Sequence, residues 1–85
     1  MNKIHKQLID RYGKDQLIVT IEELSELAKE LCKFLRNEGN VTHIVEEIAD
    51  VENMLDQLKI YFNISSEKLE EMKRFKDERT KERML

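Results

Sequence analysis

The sequence predicts an all-α protein, a small antiparallel helical bundle completed by homo-oligomerisation. The chain of 85 residues has no proline, 39% of its residues are charged, and its apolar residues recur at helical spacing. A chain this short forms one domain, residues 1–85, and buries only about 60% of the surface that its unfolded form exposes. Cys32 is the only cysteine, so no disulfide forms within the chain, and we expect a second subunit to add stability.

Composition also excludes several kinds of partner. A net charge of −3 argues against a nucleic acid polymer as ligand. No apolar run approaches the ~20 residues of a membrane span, so we expect no membrane partner. The lone thiol and the lack of an apolar N-terminal segment predict a reducing, cytoplasmic setting.

The first helix is predicted from Asn2 to Tyr12 and the second from Lys14 to Asn37. Gly13 ends the first, because glycine adopts a positive φ without a Cβ penalty. We expect His5 within it to be an exposed or loosely packed imidazole rather than a ligand. The second helix carries an apolar stripe of helical period, which consists of Leu17, Ile21, Leu24, Ala28, Leu31 and Leu35.

The third helix is predicted from Val41 to Phe62, after a break at residues 37–40 that contains two asparagines and a glycine. Its apolar stripe consists of Ile44, Ile48, Val51, Leu55, Leu58 and Phe62. A fourth helix, from Ser66 toward Arg83, starts after Ser65 as its N-cap. Short connections between the helices favour antiparallel neighbours.

Four carboxylates form two pairs, Glu23 with Glu26 and Glu47 with Asp50. Residues three apart share a helix face, with Cβ atoms roughly 5–6 Å apart. In an antiparallel hairpin, Glu23 lies opposite Asp50 and Glu26 lies opposite Glu47, since the two residues of each combination are the same number of residues from the turn. The two pairs are therefore expected at one height along the hairpin.

Without a cation, such a cluster of carboxylates lowers the stability of the folded protein, because like charges repel. Oxygen ligands on rigid helices suit Mg²⁺, with Mn²⁺ as the alternative. The ion would hold triphosphate oxygens and activate a water for attack on the α-phosphoryl group. Glu22 and Glu46, each next to a pair, are candidate outer-sphere partners or catalytic bases for that water.

The pattern Glu22-Glu23-x-x-Glu26 followed by Glu47-x-x-Asp50 resembles the MazG-like all-α nucleoside triphosphate pyrophosphohydrolases, whose signature is EExxE then ExxD. The segment Glu46-Glu47-Ile48-Ala49-Asp50-Val51 is similar to the family's EELADV. The resemblance covers residues 16–58 well and the basic C-terminal segment loosely. The chain departs from the family at Gln57, where an asparagine is common, and it has no clear counterpart of the base-contacting aromatic of some members.

This resemblance implies Mg²⁺-dependent hydrolysis of a (d)NTP to (d)NMP and pyrophosphate, in nucleotide-pool clean-up, by a homodimer or homotetramer. It implies Glu23, Glu26, Glu47 and Asp50 as metal ligands, with Glu22 and Glu46 in support. The implied substrate-binding residues are Gln16, Lys33, Lys73, Lys76 and Arg79.

Two other functions stay open at this level. A phosphoribosyl-ATP pyrophosphatase shares the ancestral helical fold, although no feature of the chain favours it. A non-catalytic helical oligomerisation module, or a nucleotide-binding module without turnover, is the alternative from a different class. The carboxylates also have a non-functional interpretation as solvent-exposed surface residues, because acidic residues three or four apart are ordinary on solvated helices.

Overall fold

The computed structural model describes residues 2–85, which form four helices and no strand. Helix α1 spans Lys3–Tyr12, α2 spans Asp15–Leu35, α3 spans Val41–Tyr61 and α4 spans Ser66–Met84. The all-α prediction is confirmed, and every helix boundary lies within two residues of its predicted position. Within residues 2–85, no helix combines the length and the apolarity that a membrane span requires.

Asparagines terminate both long helices. Asn37 after α2 has a φ of 64° and Asn63 after α3 has a φ of 54°, a conformation that asparagine tolerates better than most residues. After α2, Glu38 N donates to Lys33 O at 2.9 Å and Asn37 N donates to Phe34 O at 3.0 Å. After α3, Ile64 N donates to Lys59 O at 2.8 Å and Asn63 N donates to Ile60 O at 3.2 Å. These Schellman motifs satisfy carbonyls that a helix end leaves unpaired.

Side-chain caps begin three of the helices. Asn2 Oδ1 accepts from Ile4 N at 2.8 Å, Asn40 Oδ1 accepts from Thr42 N at 2.7 Å, and Ser65 Oγ accepts from Lys68 N at 3.1 Å. The predicted cap at Ser65 is therefore confirmed. Gly13 also ends α1 as predicted, with a φ of 50° and its amide donating to Ile9 O at 2.8 Å.

Helices α2 and α3 form the central hairpin. Near its open end, Gln16 Nε2 donates to Gln57 Oε1 at 2.7 Å, and both side chains are buried. Closer to the turn, Glu23 lies beside Asp50. The two helices therefore run in opposite directions, as the short connection between residues 35 and 41 requires.

Helix α1 lies against the hairpin, mainly against α3, and His5 anchors it. The imidazole is buried, and its Nδ1 lies 2.5 Å from Asp56 Oδ2. The expectation of an exposed or loosely packed His5 is thus wrong. Asp56 comes from a helix 51 residues later in the chain, so no local pattern around His5 indicates this partner.

Helix α4 stands apart from the other three helices. None of its Cα atoms lies within 8 Å of a Cα atom in α1, α2 or α3. Between α3 and the start of α4 runs a groove of about 570 Å³, lined by apolar side chains such as Leu55 and Leu69 and by charged ones such as Lys73. The separation of α4 from the other helices fits the sequence of α4, which is almost entirely polar and charged beyond Phe75.

The single chain has almost no hydrophobic core. Among residues 2–85, Val51 and Met54 are the only buried hydrophobic side chains. Most of the two predicted apolar stripes is exposed instead, to 64% at Ile21 and 42% at Ile48. On α2 the face that packs against α3 consists of Gln16, Thr20, Glu23, Leu27 and Glu30.

These exposed stripes form one surface, which we call the apolar face: Ile21, Leu24, Leu31 and Leu35 on α2, with Ile48, Leu55 and Phe62 on α3. At about 100° per residue, each stripe is displaced by roughly a quarter turn from the face packed against the other helix. Because the helices run in opposite directions, these two rotations place both apolar stripes on the same side of the hairpin. Glu26 and Asp50 lie on the other flank of the packed face, so the carboxylates are exposed on the opposite side of the hairpin.

Gly39 makes the closest approach of the interhelical turn. A Cβ atom at this position would lie 2.5 Å from Phe34 Cα and 2.7 Å from Phe34 N, both backbone atoms that cannot move aside cheaply. We predict that Gly39→Ala lowers the free energy of unfolding by about 1–3 kcal/mol. Thermal denaturation followed by circular dichroism measures the change, with exposed Glu38→Ala as the matched control. Equal melting temperatures for the two variants would contradict the prediction.

Candidate functional site

Three of the four predicted metal ligands come together between α2 and α3. Glu23, Glu47 and Asp50 each offer a carboxylate oxygen, and these oxygens all lie within 4.8 Å of one another. Glu23 and Glu47 are half-buried, whereas Asp50 is exposed. We call these three side chains the carboxylate cluster.

Glu26, the fourth predicted ligand, lies outside this distance limit but stays near the cluster. Its charge contributes to raising the pKa of both Glu23 and Glu47. Its side chain is exposed on the same side of the hairpin as Asp50. Glu22 and Glu46, the predicted supporting residues, are also exposed, and Glu46 is near enough to affect Glu47 in the same way.

Helical register explains why the cluster forms. Glu23 follows Gln16 by seven residues, or two turns, so both lie on the face of α2 that contacts α3. Glu47 occupies the corresponding face of α3, one turn before the buried Val51. The hydrogen bond between Gln16 and Gln57 fixes the register at the open end of the hairpin, and the capped turn fixes it at the other end.

The electrostatics of the cluster are unfavourable without a cation. Burial raises the pKa of Glu23 above its usual value of 4.5, and the charges of Asp50 and Glu47 raise it further. Burial likewise raises the pKa of Glu47, together with the charges of Asp50, Glu26, Glu30 and Glu46. Glu47 Oε2 is buried and has no hydrogen-bond partner among the described residues. A divalent cation would supply what this oxygen lacks, and hard oxygen donors are the ligands that Mg²⁺ prefers.

The predicted substrate-binding residues of α2 are engaged within the chain. Gln16 is buried and its amide is bonded to Gln57, the position at which the chain departs from the resembling family. Gln57 in turn donates to Asn53 O at 3.4 Å, so this pair is part of the hairpin's packing. Lys33 Nζ lies 3.4 Å from Glu30 Oε1 of the same helix.

The structure does not bring the predicted α4 residues to the cluster. Lys73 lines the groove between α3 and α4 and lies 3.5 Å from Glu70 Oε1. Arg79 lies over the Phe75 ring at 5.9 Å from its centroid, and Lys76 is exposed. In one chain these three cations therefore contact only their own helix or the groove.

Glu30 is a further buried carboxylate on the face of α2 that meets α3, and the paired-carboxylate pattern of the sequence does not include it. It is only 8% exposed, and its Oε2 has no hydrogen-bond partner among the described residues. The signal was present in the sequence, because Glu30 follows Glu23 by two helical turns and so lies on the same face of α2.

Comparison of the chain with models of protein families, with curated proteins and with solved structures gives no match.

The raised pKa of Glu47 predicts how stability depends on pH in the metal-free protein. A carboxyl group with a raised pKa in the fold contributes stability below its unfolded value of 4.5 and loses it as pH rises through the folded value. At pH 7 we therefore expect metal-free Glu47→Gln to melt on the order of a few degrees above the wild type.

As the pH falls toward 4.5 and below, this advantage should shrink, since the Glu47 carboxyl becomes increasingly protonated in both the folded and the unfolded state. Differential scanning calorimetry between pH 4.5 and 7.5 in EDTA tests this, with exposed Glu52→Gln as control. A large loss of stability in metal-free Glu47→Gln at pH 7 would show instead that the carboxylate is structural.

Proposed function

We propose that the protein is a Mg²⁺-dependent nucleoside triphosphate pyrophosphohydrolase that converts (d)NTP and water to (d)NMP and pyrophosphate. The observation that carries the proposal is the convergence of Glu23, Glu47 and Asp50 oxygens within 4.8 Å, from two helices and at the height that the motif spacing predicts. The resemblance of the motif to MazG-like enzymes supplies the reaction class. The charge of Glu26 acts on both Glu23 and Glu47, and we include Glu26 in the ligand set.

The chain's residues divide into two chemical roles in this proposal. Glu23, Glu26, Glu47 and Asp50 would hold Mg²⁺, or Mn²⁺ in its place. When bound, the ion supplies charge stabilisation for the triphosphate and lowers the pKa of a nearby water.

Glu22 and Glu46 are exposed carboxylates on the open side of the cluster, where either can accept a proton from the attacking water. The water oxygen forms a bond to the α-phosphorus, the bond from that phosphorus to the bridging oxygen breaks, and pyrophosphate leaves.

A second subunit completes the architecture that we propose. The apolar face lies on the side of the hairpin away from the carboxylates, so a second copy can cover it without blocking the cluster. Covering these side chains would stabilise the assembly by roughly 25 cal/mol per Å² of apolar surface removed from water. The assembly is thus an antiparallel helical bundle, a homodimer or homotetramer, that the single chain leaves incomplete.

The polar and charged substrate contacts depend on the same assembly. Lys33 lies on α2, the helix that carries Glu23 and Glu26, and is paired with Glu30, whereas Lys73, Lys76 and Arg79 reach a triphosphate only if α4 meets a cluster in the assembled form. Gln16 would have to exchange its bond to Gln57 for one to substrate. We therefore rank Lys33 first among the phosphate contacts.

Activity is tested with the full chain and a panel of ribo- and deoxyribonucleoside triphosphates in Mg²⁺. We expect equal amounts of pyrophosphate and nucleoside monophosphate from at least one substrate. Loss of one cluster carboxylate should reduce kcat/KM by about 10²-fold or more, since charge stabilisation at the transition state is lost.

The variants are Glu47→Gln and Asp50→Asn, with Glu52→Gln, on the exposed side of α3, as the matched control. No pyrophosphate from any nucleotide, with a folded and assembled protein, would sink the enzymatic proposal.

The exposed apolar face is the observation that favours the alternative, a non-catalytic helical module. Metal-dependent melting separates the two functions, because a ligand that binds only the folded state stabilises by about 2.7 kcal/mol at 100 times its Kd. A melting temperature insensitive to both Mg²⁺ and Mn²⁺ would favour the module.

The apolar face itself is tested by analytical ultracentrifugation. We predict that Leu31→Glu shifts the protein toward the monomer, because a charge would be buried between subunits. Ile18→Glu is the matched control, since Ile18 is 57% exposed on α2 but lies off the apolar face. A monomeric wild type, or equal association of both variants, would contradict the proposed assembly.

A further inference from the structure

Helix α4 lacks a packing partner within its own chain. Its backbone stays more than 8 Å from the other three helices, Cα to Cα, and all its side chains are exposed except the half-buried Leu69. The exposed ones include Met72 and Phe75, which follow Leu69 at intervals of about one turn. Most helical stability in proteins comes from tertiary packing rather than from intrinsic propensity. A stable α4 therefore requires a surface that its own chain does not supply.

The groove between α3 and α4 has a predominantly apolar lining. Leu55 and Leu58 from α3, together with Ile64 and Leu69, line its volume of about 570 Å³. Leu55 also belongs to the apolar face, so the groove continues that face toward α4. The groove and the apolar stripes of the hairpin thus lie on the same side of the molecule.

The apolar stripe of α2 has the chemistry that this groove accepts. At about 100° per residue, the positions on this side of α2 are uncharged from Leu17 to Leu35, over about five turns. Such a stripe can enter an apolar groove without burying a charge. Ala28 lies in the middle of the stripe, and its small side chain allows another helix to approach closely.

The stripe and the groove of one chain cannot meet each other, because α2 and α4 of that chain lie apart. Each copy nevertheless carries one stripe and one groove on the same side of its hairpin. Two copies related by a two-fold axis can therefore supply each other's missing surface, as in an isologous contact.

We propose that the groove between α3 and α4 receives the α2 stripe of a second copy of this chain, so that α4 closes over its partner as a clasp. This inference rests on the homo-oligomer of the proposed function, and it assigns to α4 a role in assembly that does not depend on catalysis. The clasp leaves the carboxylates accessible, because Glu26 and Asp50 are exposed on the other side of the hairpin.

Mixed samples test this contact between copies directly. One full chain carries a nitroxide at Ser25→Cys, beside the α2 stripe, in a Cys32→Ser background. The other is an isotope-labelled Cys32→Ser chain. In the mixed assembly we expect the amide resonances of residues 69–75 to broaden more strongly than those of residues 81–85. Because the nitroxide and the observed nuclei lie on different chains, contacts within one chain cannot produce this broadening.

A pair of methionine variants tests the contribution of α4 to association. We expect Met72→Glu to raise the dissociation constant of the assembly about 10-fold or more, because the new charge would be buried against the second copy. Met84→Glu is the matched control, since Met84 is 80% exposed at the far end of the same helix. Analytical ultracentrifugation measures both constants.

Every result decides the matter. Assembly without broadening at residues 69–75, or equal association of the two methionine variants, would overturn the clasp and leave the hydrolase and its apolar-face oligomer standing. A chain that stays monomeric would overturn the clasp together with the proposed assembly, while pyrophosphate release by that monomer would preserve the proposed reaction. If Met72→Glu fails to fold, the mixed samples decide alone.

Discussion

The structure depends on one unfavourable constraint, the placement of carboxylates on the packed face of the α2–α3 hairpin. Glu23, Glu30 and Glu47 occupy positions that an ordinary helical hairpin fills with leucine or alanine. Burial, together with repulsion from neighbouring carboxylates, raises the pKa of Glu23 and Glu47 and opposes the fold at neutral pH. A sequence with abundant leucine and isoleucine nevertheless directs these residues inward, which makes sense if the interface exists to hold cations.

The rest of the hairpin is built to tolerate that constraint. Polar contacts fix its register, with Gln16 bonded to Gln57 at the open end and Schellman motifs closing both helix ends. His5 and Asp56 attach α1 across the same end. Apolar packing then contributes little within one chain, because only Val51 and Met54 are buried among its described hydrophobic residues.

Two opposite surfaces follow from the same rotation of the helices. Turning the carboxylates toward the interface turns the leucine and isoleucine stripes outward, by about a quarter turn at 100° per residue. The hairpin thereby acquires an acidic side and an apolar side. This division explains how a chain of 85 residues can devote its interior to charge, provided that the apolar side is covered by another copy.

The sequence by itself determined the four helices, the cap at Ser65, the end of α1 at Gly13 and the height at which Glu23 meets Asp50, because helix periodicity, capping and turn chemistry are local properties. Only the tertiary structure decided which face of α2 meets α3. The apolar stripes predict a hydrophobic interface, but burial depends on rotation about the helix axis, which periodicity leaves open. For the same reason only the tertiary structure shows that Glu30 is buried and that His5 is partnered by Asp56. It also shows that α4, with Lys73, Lys76 and Arg79, lies away from the other helices.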